Sequence, residues 1–187
     1  MCATEDRRVI DAIDIKDYDP EWPKAFELEK NRIMEKLGEL VLEIEHIGST
    51  AVPGISAKPV IDILIAVKDM GRAMECAVKL ADLGYEHVQE DDVERIFLFR
   101  GMPRTHHVHI VEHGSETFRK HVVFRDYLRE HADTRNEYDR LKRALAARYR
   151  TDRKTYVDSK TDFVERVVEK ATRERDGMKT TLLDSSR

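Results

Sequence analysis

Cysteine is scarce in this chain. Cys2 and Cys76 are the only two, and they fall in no spacing that suits a metal site, a redox pair or a disulfide framework. Cys76 lies in a helical pattern, where an unpaired thiol packs as a small hydrophobe. Long apolar runs are also missing; none approaches the roughly 18 residues of a membrane span. The opening segment MCATEDRRVI carries acids early and has no apolar stretch, so it does not read as a signal peptide. A charge excess is absent too. The net charge is −4 and the pI about 6.1, which gives no general attraction to nucleic acid or anionic membrane and leaves room only for local basic patches. There is no internal repeat and no low-complexity segment. These absences point to a cytoplasmic protein.

What is present suffices for a packed domain. The 187 residues are 41% hydrophobic and 37% charged, a balance that fits one domain with a helical appendage rather than a disordered chain. VIDAIDI (9–15) alternates and reads as a short strand. DYDPEWPKAF opens a helix, with Asp19 as cap, Pro20 in the first turn and Trp22, Phe26, Ile33 and Leu37 on one face; Gly38 ends it. LVLEIEHI (40–47) reads as a strand. VIDILIAV (60–67) is a continuous apolar run of the kind a central strand needs when both its faces are covered. Met70, Met74, Ala77, Val78 and Ala81 mark a helix closed by Gly84. YEHVQ (85–89) and RIFLFR (95–100) form a hairpin across an acidic link, and THHVHIVE (105–112) is the last strand. After Ser115 the pattern is helical. Phe118 and Val122 lead a first helix, Tyr138, Leu141 and Leu145 line a second, and Tyr156, Phe163, Val167 and Ala171 line a third, with breaks at Ala132–Asp133 and Thr151–Asp152. A sheet unit over about 9–112 therefore carries a helical cap over about 115–172 in one domain, 1–175. Residues 176–187 lose the period and are expected to form a mobile tail.

The informative stretch is IEHIGSTAVPGISAKPVIDILIAV. A Gly48–Ser49–Thr50 turn between two core strands aims backbone N–H groups and hydroxyls into one concavity, which suits phosphate oxygens; the alternative is a tight turn with a capping hydroxyl. A P-loop is excluded, because Gly48 and Gly54 are not followed by Lys-Ser/Thr and a strand, not a helix, comes next. Lys58 reaches a phosphate or stays solvated. Asp62 interrupts an apolar strand, and a buried charge needs a metal, a cation or donors around it. In RTHHVHIVE, His107 and His109 share one strand face, with His106, Val108 and Ile110 on the other. Two imidazoles two residues apart hold one metal, meet phosphate as donors, or simply bond to their neighbours. Arg104 enters this strand as a candidate anion clamp. FRKHVVFRDYLRE adds Arg119, Lys120, Arg125 and Arg129, of which Arg125 is the candidate to close over a phosphate; the alternative is a solvated charged face.

Four segments in order, DYDPEWPKAFELEKNRI, the Gly-Ser-Thr stretch quoted above, RTHHVHIVEHGS and FRDYLREHADTRNEYDRLKRALAARY, resemble the GrpB family over about residues 15–170. The resemblance implies an α/β (α+β) fold: a nucleotidyltransferase-like mixed sheet flanked by helices, with a C-terminal helical extension. In that fold a Gly-Ser turn grips a triphosphate, and an Asp-x-Asp strand about ten residues later holds divalent metal. Here twelve residues separate Ser49 from Asp62, and Leu64 stands where the second carboxylate is expected. The resemblance implies that this leucine is normal for the family. Two functions follow as expectations. The first is an enzyme binding a nucleotide or phosphorylated metabolite between Gly48, Ser49, Thr50, Lys58, Arg104 and Arg125. In it Asp62, His107 and His109 hold one divalent ion (Mg²⁺, Mn²⁺ or Zn²⁺), and an acceptor attacks the α-phosphorus in line. The second is a non-catalytic accessory module, since similar domains are attached to some dephospho-coenzyme A kinases.

Overall fold

The structure, a computed structural model, describes residues 12–89 and 94–184, with side chains as far as residue 175. Helix α1, Trp22–Leu37, begins where the Asp19 carboxylate accepts from the Glu21 N–H at 2.9 Å. It ends at Gly38, whose φ of 52° is in the left-handed region that glycine tolerates best. Trp22, Phe26, Ile33 and Leu37 are buried on one face, as their spacing predicts. Glu29 is buried with them. Its carboxylate accepts from the Arg100 guanidinium at 2.6 and 2.8 Å and from the Tyr85 hydroxyl at 3.0 Å, so the charge is fully partnered.

Five strands make one sheet: β1 Val41–Ile47, β2 Ile61–Val67, β3 Glu86–Val88, β4 Arg95–Arg100 and β5 His106–Glu112. Their order is β1-β2-β5-β4-β3, with β2 and β5 parallel and every other neighbouring pair antiparallel. Strand β2 is central. Ile63, Ile65 and Val67 pack under α1 and under α2, Met70–Leu80, whereas Leu64 faces the other way, against Ile47, Val111, Phe118 and Val122. Each such aliphatic side chain contributes about 1.5–3 kcal/mol on burial, so both faces of the sheet are committed along most of its length.

The opposite face carries α3 Glu116–Glu130, α4 Ala132–Arg148, α5 Arg153–Asp158 and α6 Thr161–Asp184. Ser115 caps α3 through the Phe118 N–H, and Asp152 caps α5 through the Thr155 N–H. Tyr138, Phe163, Val167 and Ala171 join Val52 and Ile55 in a second core beneath the loop that follows β1.

Several expectations need correction. Residues 12–15 form no strand; the N-terminal segment makes one bridge, Lys16 to Ala57, and residues 9–11 lie outside the described part. The buried face of α2 is Ala73, Cys76, Ala77 and Leu80, while Met74 and Val78 are exposed at 48% and 68%. The expected third cap helix is two, because the chain breaks at Ser159 and Lys160 between Tyr156 and Phe163. The break before α4 falls at His131, with φ −117° and ψ 94° and no side-chain cap. Helix α6 runs on to Asp184, past the point where the sequence period is lost. No described helix is long and apolar enough to cross a membrane.

Candidate functional site

Alternation along the strands decides what meets. Asp62 shares a sheet face with Leu64, and the parallel register of β2 and β5 sets Asp62 opposite His107 and Leu64 opposite His109. Antiparallel pairing brings Phe97 of β4 opposite His109. On this face, bordered by His121 of α3, lies a cavity of about 600 Å³. The Gly48–Ser49–Thr50 turn forms one wall, and Tyr156, Val157 and Lys160 of the cap form another.

Gly48 has a φ of 71°, and a Cβ there would overlap Asp62 Oδ2 and lie 3.0 Å from its Cγ. The turn and the carboxylate therefore pack as one unit that only glycine allows. Ser49 starts a single 3-10 turn, Ser49–Ala51, and hydrogen-bonds the Tyr138 side chain. Thr50 lines the cavity, yet its hydroxyl is engaged elsewhere: it donates to the Val60 carbonyl at 3.3 Å and accepts from His46 Nε2 at 3.0 Å.

Asp62 Oδ1 lies 2.8 Å from His107 Nδ1, and an Arg153 N–H lies 3.4 Å from His107 Nε2. Arginine only donates. Nε2 is therefore the accepting nitrogen, and Nδ1 carries the proton that goes to Asp62. A carboxylate thus orients an imidazole whose lone pair faces the cavity. Burial works to raise the Asp62 pKa, but the His107 hydrogen bond and the nearby imidazoles outweigh it and hold the carboxyl below its usual range. By the same argument Arg95, 3.4 Å from His109 Nδ1, leaves His109 with its proton on Nε2.

Lys58, Arg95, Arg104, Arg153 and Lys160 all line the cavity, against one carboxylate, Asp62, among the described residues. Burial pulls Lys160 down to about 8, with Asp62 opposing and Arg153 and Lys58 assisting. Arg104 stacks on Phe99 at 4.3 Å from the ring centre, which fixes its aim.

Of the residues expected from the sequence, Gly48, Ser49, Thr50, Lys58, Asp62, Arg104, His107 and His109 come together here. Arg125 does not. It is buried against Glu45, Asp126 and the His46 carbonyl, tying α3 to β1, and it is absent from the cavity wall. Glu45 on the neighbouring strand face captures it before any ligand can. Nor are Asp62, His107 and His109 arranged as a metal ligand set. Among the described residues no three His, Cys, Asp or Glu side chains are so placed, because His107 occupies Asp62 Oδ1 and Arg95 occupies His109 Nδ1. The sequence reading missed Arg95, Phe97, His121, Arg153 and Lys160. Lys160 had a signal: it follows Tyr156 by four and precedes Phe163 by three, a charged residue in an apolar stripe.

The sequence profile of the family described as GrpB protein matches residues 12–170. The UPF0157 protein PA4798 of Pseudomonas aeruginosa is 40% identical over 167 residues, covering 86% of this chain and 68% of that protein. A dephospho-CoA kinase of Mycolicibacterium paratuberculosis is 32% identical over 74% of this chain, which spans 41% of that enzyme. A crystal structure of the conserved protein GrpB from Enterococcus faecalis superposes with a TM-score of 0.80 at 33% identity, covering 87% of this chain and 99% of that one. A fold shared at that level, with sequence similarity along nearly the whole described length, leaves one conclusion: the chain belongs to the GrpB family.

Proposed function

We propose that the cavity binds a phosphorylated small molecule, with a nucleotide as the reading that the turn and the cations together favour. The observation that carries it is the ring of five cationic side chains around a Gly-Ser turn with a single carboxylate among them. In a half-enclosed site such charges attract an anion far more strongly than they do in bulk water. Phosphate oxygens would lie against Gly48–Ser49 and Lys58, with Arg104, Arg153 and Lys160 closing from the cap and the β4–β5 side. The Asp62–His107 pair would take a proton from an attacking hydroxyl in a group transfer once the Arg153 guanidinium, which donates to His107 Nε2 at 3.4 Å, turns to the phosphates.

A second reading, a ligand-binding accessory module without chemistry, is favoured by the similarity to part of a dephospho-CoA kinase, and no three His, Cys, Asp or Glu side chains among the described residues are grouped as metal ligands. A thermal-shift titration with tripolyphosphate, ATP and dephospho-CoA tests the shared core of both. A ligand at a hundred times its Kd should stabilise the fold by about 2.7 kcal/mol, and Lys160→Met together with Arg104→Ala should remove most of that. A flat response to all three compounds, or a response unchanged in the double variant, overturns the binding proposal. Release of pyrophosphate from ATP in the presence of an acceptor separates the first reading from the second.

A further inference from the structure

The phosphate contacts proposed above use the Gly48–Ser49 turn, Lys58, Arg104, Arg153 and Lys160 and leave the other lining residues without a role. A volume of about 600 Å³ is in the range of about 300–1,000 Å³ that holds a whole organic ligand, more than a phosphate chain needs. The remaining end is built from rings. Phe97 on β4 lies 5.0 Å from His109 on β5, and His109 lies 5.3 Å from His121 on α3, the ring planes inclined at 43° and 46°. Val88 completes the wall and the Arg95 guanidinium stands 5.7 Å from the Phe97 ring centre.

These imidazoles stay uncharged. Burial pushes His121 down to about 4, against the pull of Asp62 and with help from Arg95. Burial and the neighbouring His121 hold His109 well below its ordinary range. Two imidazolium rings at this separation beside Arg95 would repel one another. A neutral imidazole has one donor and one acceptor nitrogen. His109, with Nδ1 turned to Arg95, presents its Nε2–H. Flat apolar faces, a ring N–H and a guanidinium stand together at one end of the cavity. They suit a planar ring that carries its own acceptors.

Resting on the phosphate-binding reading above, we propose that the Phe97–His109–His121 cluster is a subsite for a planar nitrogen heterocycle, the base of a nucleotide whose phosphates face Gly48–Ser49. The base stacks on the ring faces that line the cavity and accepts from His109 Nε2–H. His121 acts as a specificity-determining residue by closing this end from α3.

Calorimetric titration of inorganic tripolyphosphate and of ATP, GTP, CTP and UTP, each with and without Mg²⁺, tests this. At least one nucleotide should bind about tenfold or more tightly than tripolyphosphate under the same condition, the scale of one stacked base. His121→Ala and Phe97→Leu should each erase most of that advantage and leave tripolyphosphate affinity within about twofold. In the wild-type protein, where folding is not in question, the ring ¹⁵N resonances of His109 and His121 should move with the nucleotide and not with tripolyphosphate. Nucleotides that bind no more tightly than tripolyphosphate, or an advantage that survives both variants, overturn the subsite and leave the phosphate reading standing. Absence of binding by all five compounds overturns the phosphate reading and the subsite with it.

Discussion

Gly48 and Asp62 constrain each other more tightly than any other pair in the site. Gly48→Ala must accommodate both an unfavourable φ and an overlap with the Asp62 carboxylate. It should cost about 1–3 kcal/mol in urea denaturation and remove anion-induced stabilisation altogether. Lys160 makes a different kind of prediction. With its pKa near 8 it loses its charge just above neutrality, so affinity for tripolyphosphate should fall as pH rises above 8, by up to about tenfold per unit. Lys160→Met should bind more weakly at pH 7 and show no such fall; an equal fall in the variant assigns the titration to another group. The sequence made Asp62, His107 and the Gly-Ser turn legible, because alternation on a strand and a turn between core strands have definite geometry. It hid Lys160, Arg153 and His121, because a charged or polar residue on a helix or in a turn between helices is ordinarily solvated. Glu29 and Lys142 occupy apolar phases of their helices, and Lys160 stands between Tyr156 and Phe163 in the turn that joins α5 to α6. That interruption of the stripe, rather than any motif, is the sign that sequence reading can use.

At the scale of elements, the segment after the Gly-Ser turn is held by the cap. Asp139 on α4 accepts from the Ser56 N–H at 2.7 Å and from its hydroxyl at 2.5 Å, and Arg129 on α3 donates to the Ala51 carbonyl at 2.9 Å. Lys142 donates to the Ser56 carbonyl and lies 4.9 Å from the Tyr138 ring centre. Burial draws Lys142 to about 7 against the pull of Asp139. Between about pH 7 and the unfolded value near 10.4, the unfolded chain therefore holds a proton that the folded chain does not. Stability should rise with pH over that window until the tyrosines ionise. Lys142→Met should flatten the rise between pH 7 and 9 in chemical denaturation, and an unchanged slope would show that Lys142 is not the titrating group. Arg125 supplies a contrast, since it braces α3 on β1 and touches no cavity. Arg125→Ala should lower stability by about 2–3 kcal/mol, from lost charged hydrogen bonds, and leave tripolyphosphate affinity unchanged at temperatures where the variant is folded. Element order, the five strands of the sheet and most helix positions were readable from hydrophobic period, although the same alternation also suggested a strand at 9–15 whose described part, 12–15, forms none. The phase of α2 was not, because Met74 and Val78 look like core residues while small Ala73 and Cys76 actually face the sheet, where helix and strands approach closely.

Across the whole molecule, one sheet face is mostly core, whereas the other is core along part of its length and polar cavity beyond. This division places histidines where they cannot easily be charged. His46 stacks on Phe26 beneath α1, His106 lies beside Arg100 on the same face, and His109 and His121 border the cavity. Burial comes first among the causes in all four, with guanidinium groups adding to it; His46, His106 and His121 are drawn to about 4 and His109 well below its ordinary range. Unfolded, the same rings titrate near 6.5. From about pH 6.5 downward the unfolded chain therefore takes up protons that the folded chain refuses, so stability is fully present above 6.5 and is lost as the solution is acidified towards 4. Each ring contributes up to about 1.4 kcal/mol per pH unit over that window. Carboxylates do not confuse the upper half of the range, because their ordinary values lie near 4. Urea denaturation at closely spaced pH values from 7 to 5 should therefore show a steep loss of stability, with proton uptake on unfolding of well over one. His121→Asn should lower that uptake by close to one proton without altering the denaturant slope. If stability is flat between pH 7 and 5, these imidazoles are not held neutral in the fold, and the assignment of the His109 proton to Nε2 fails with them.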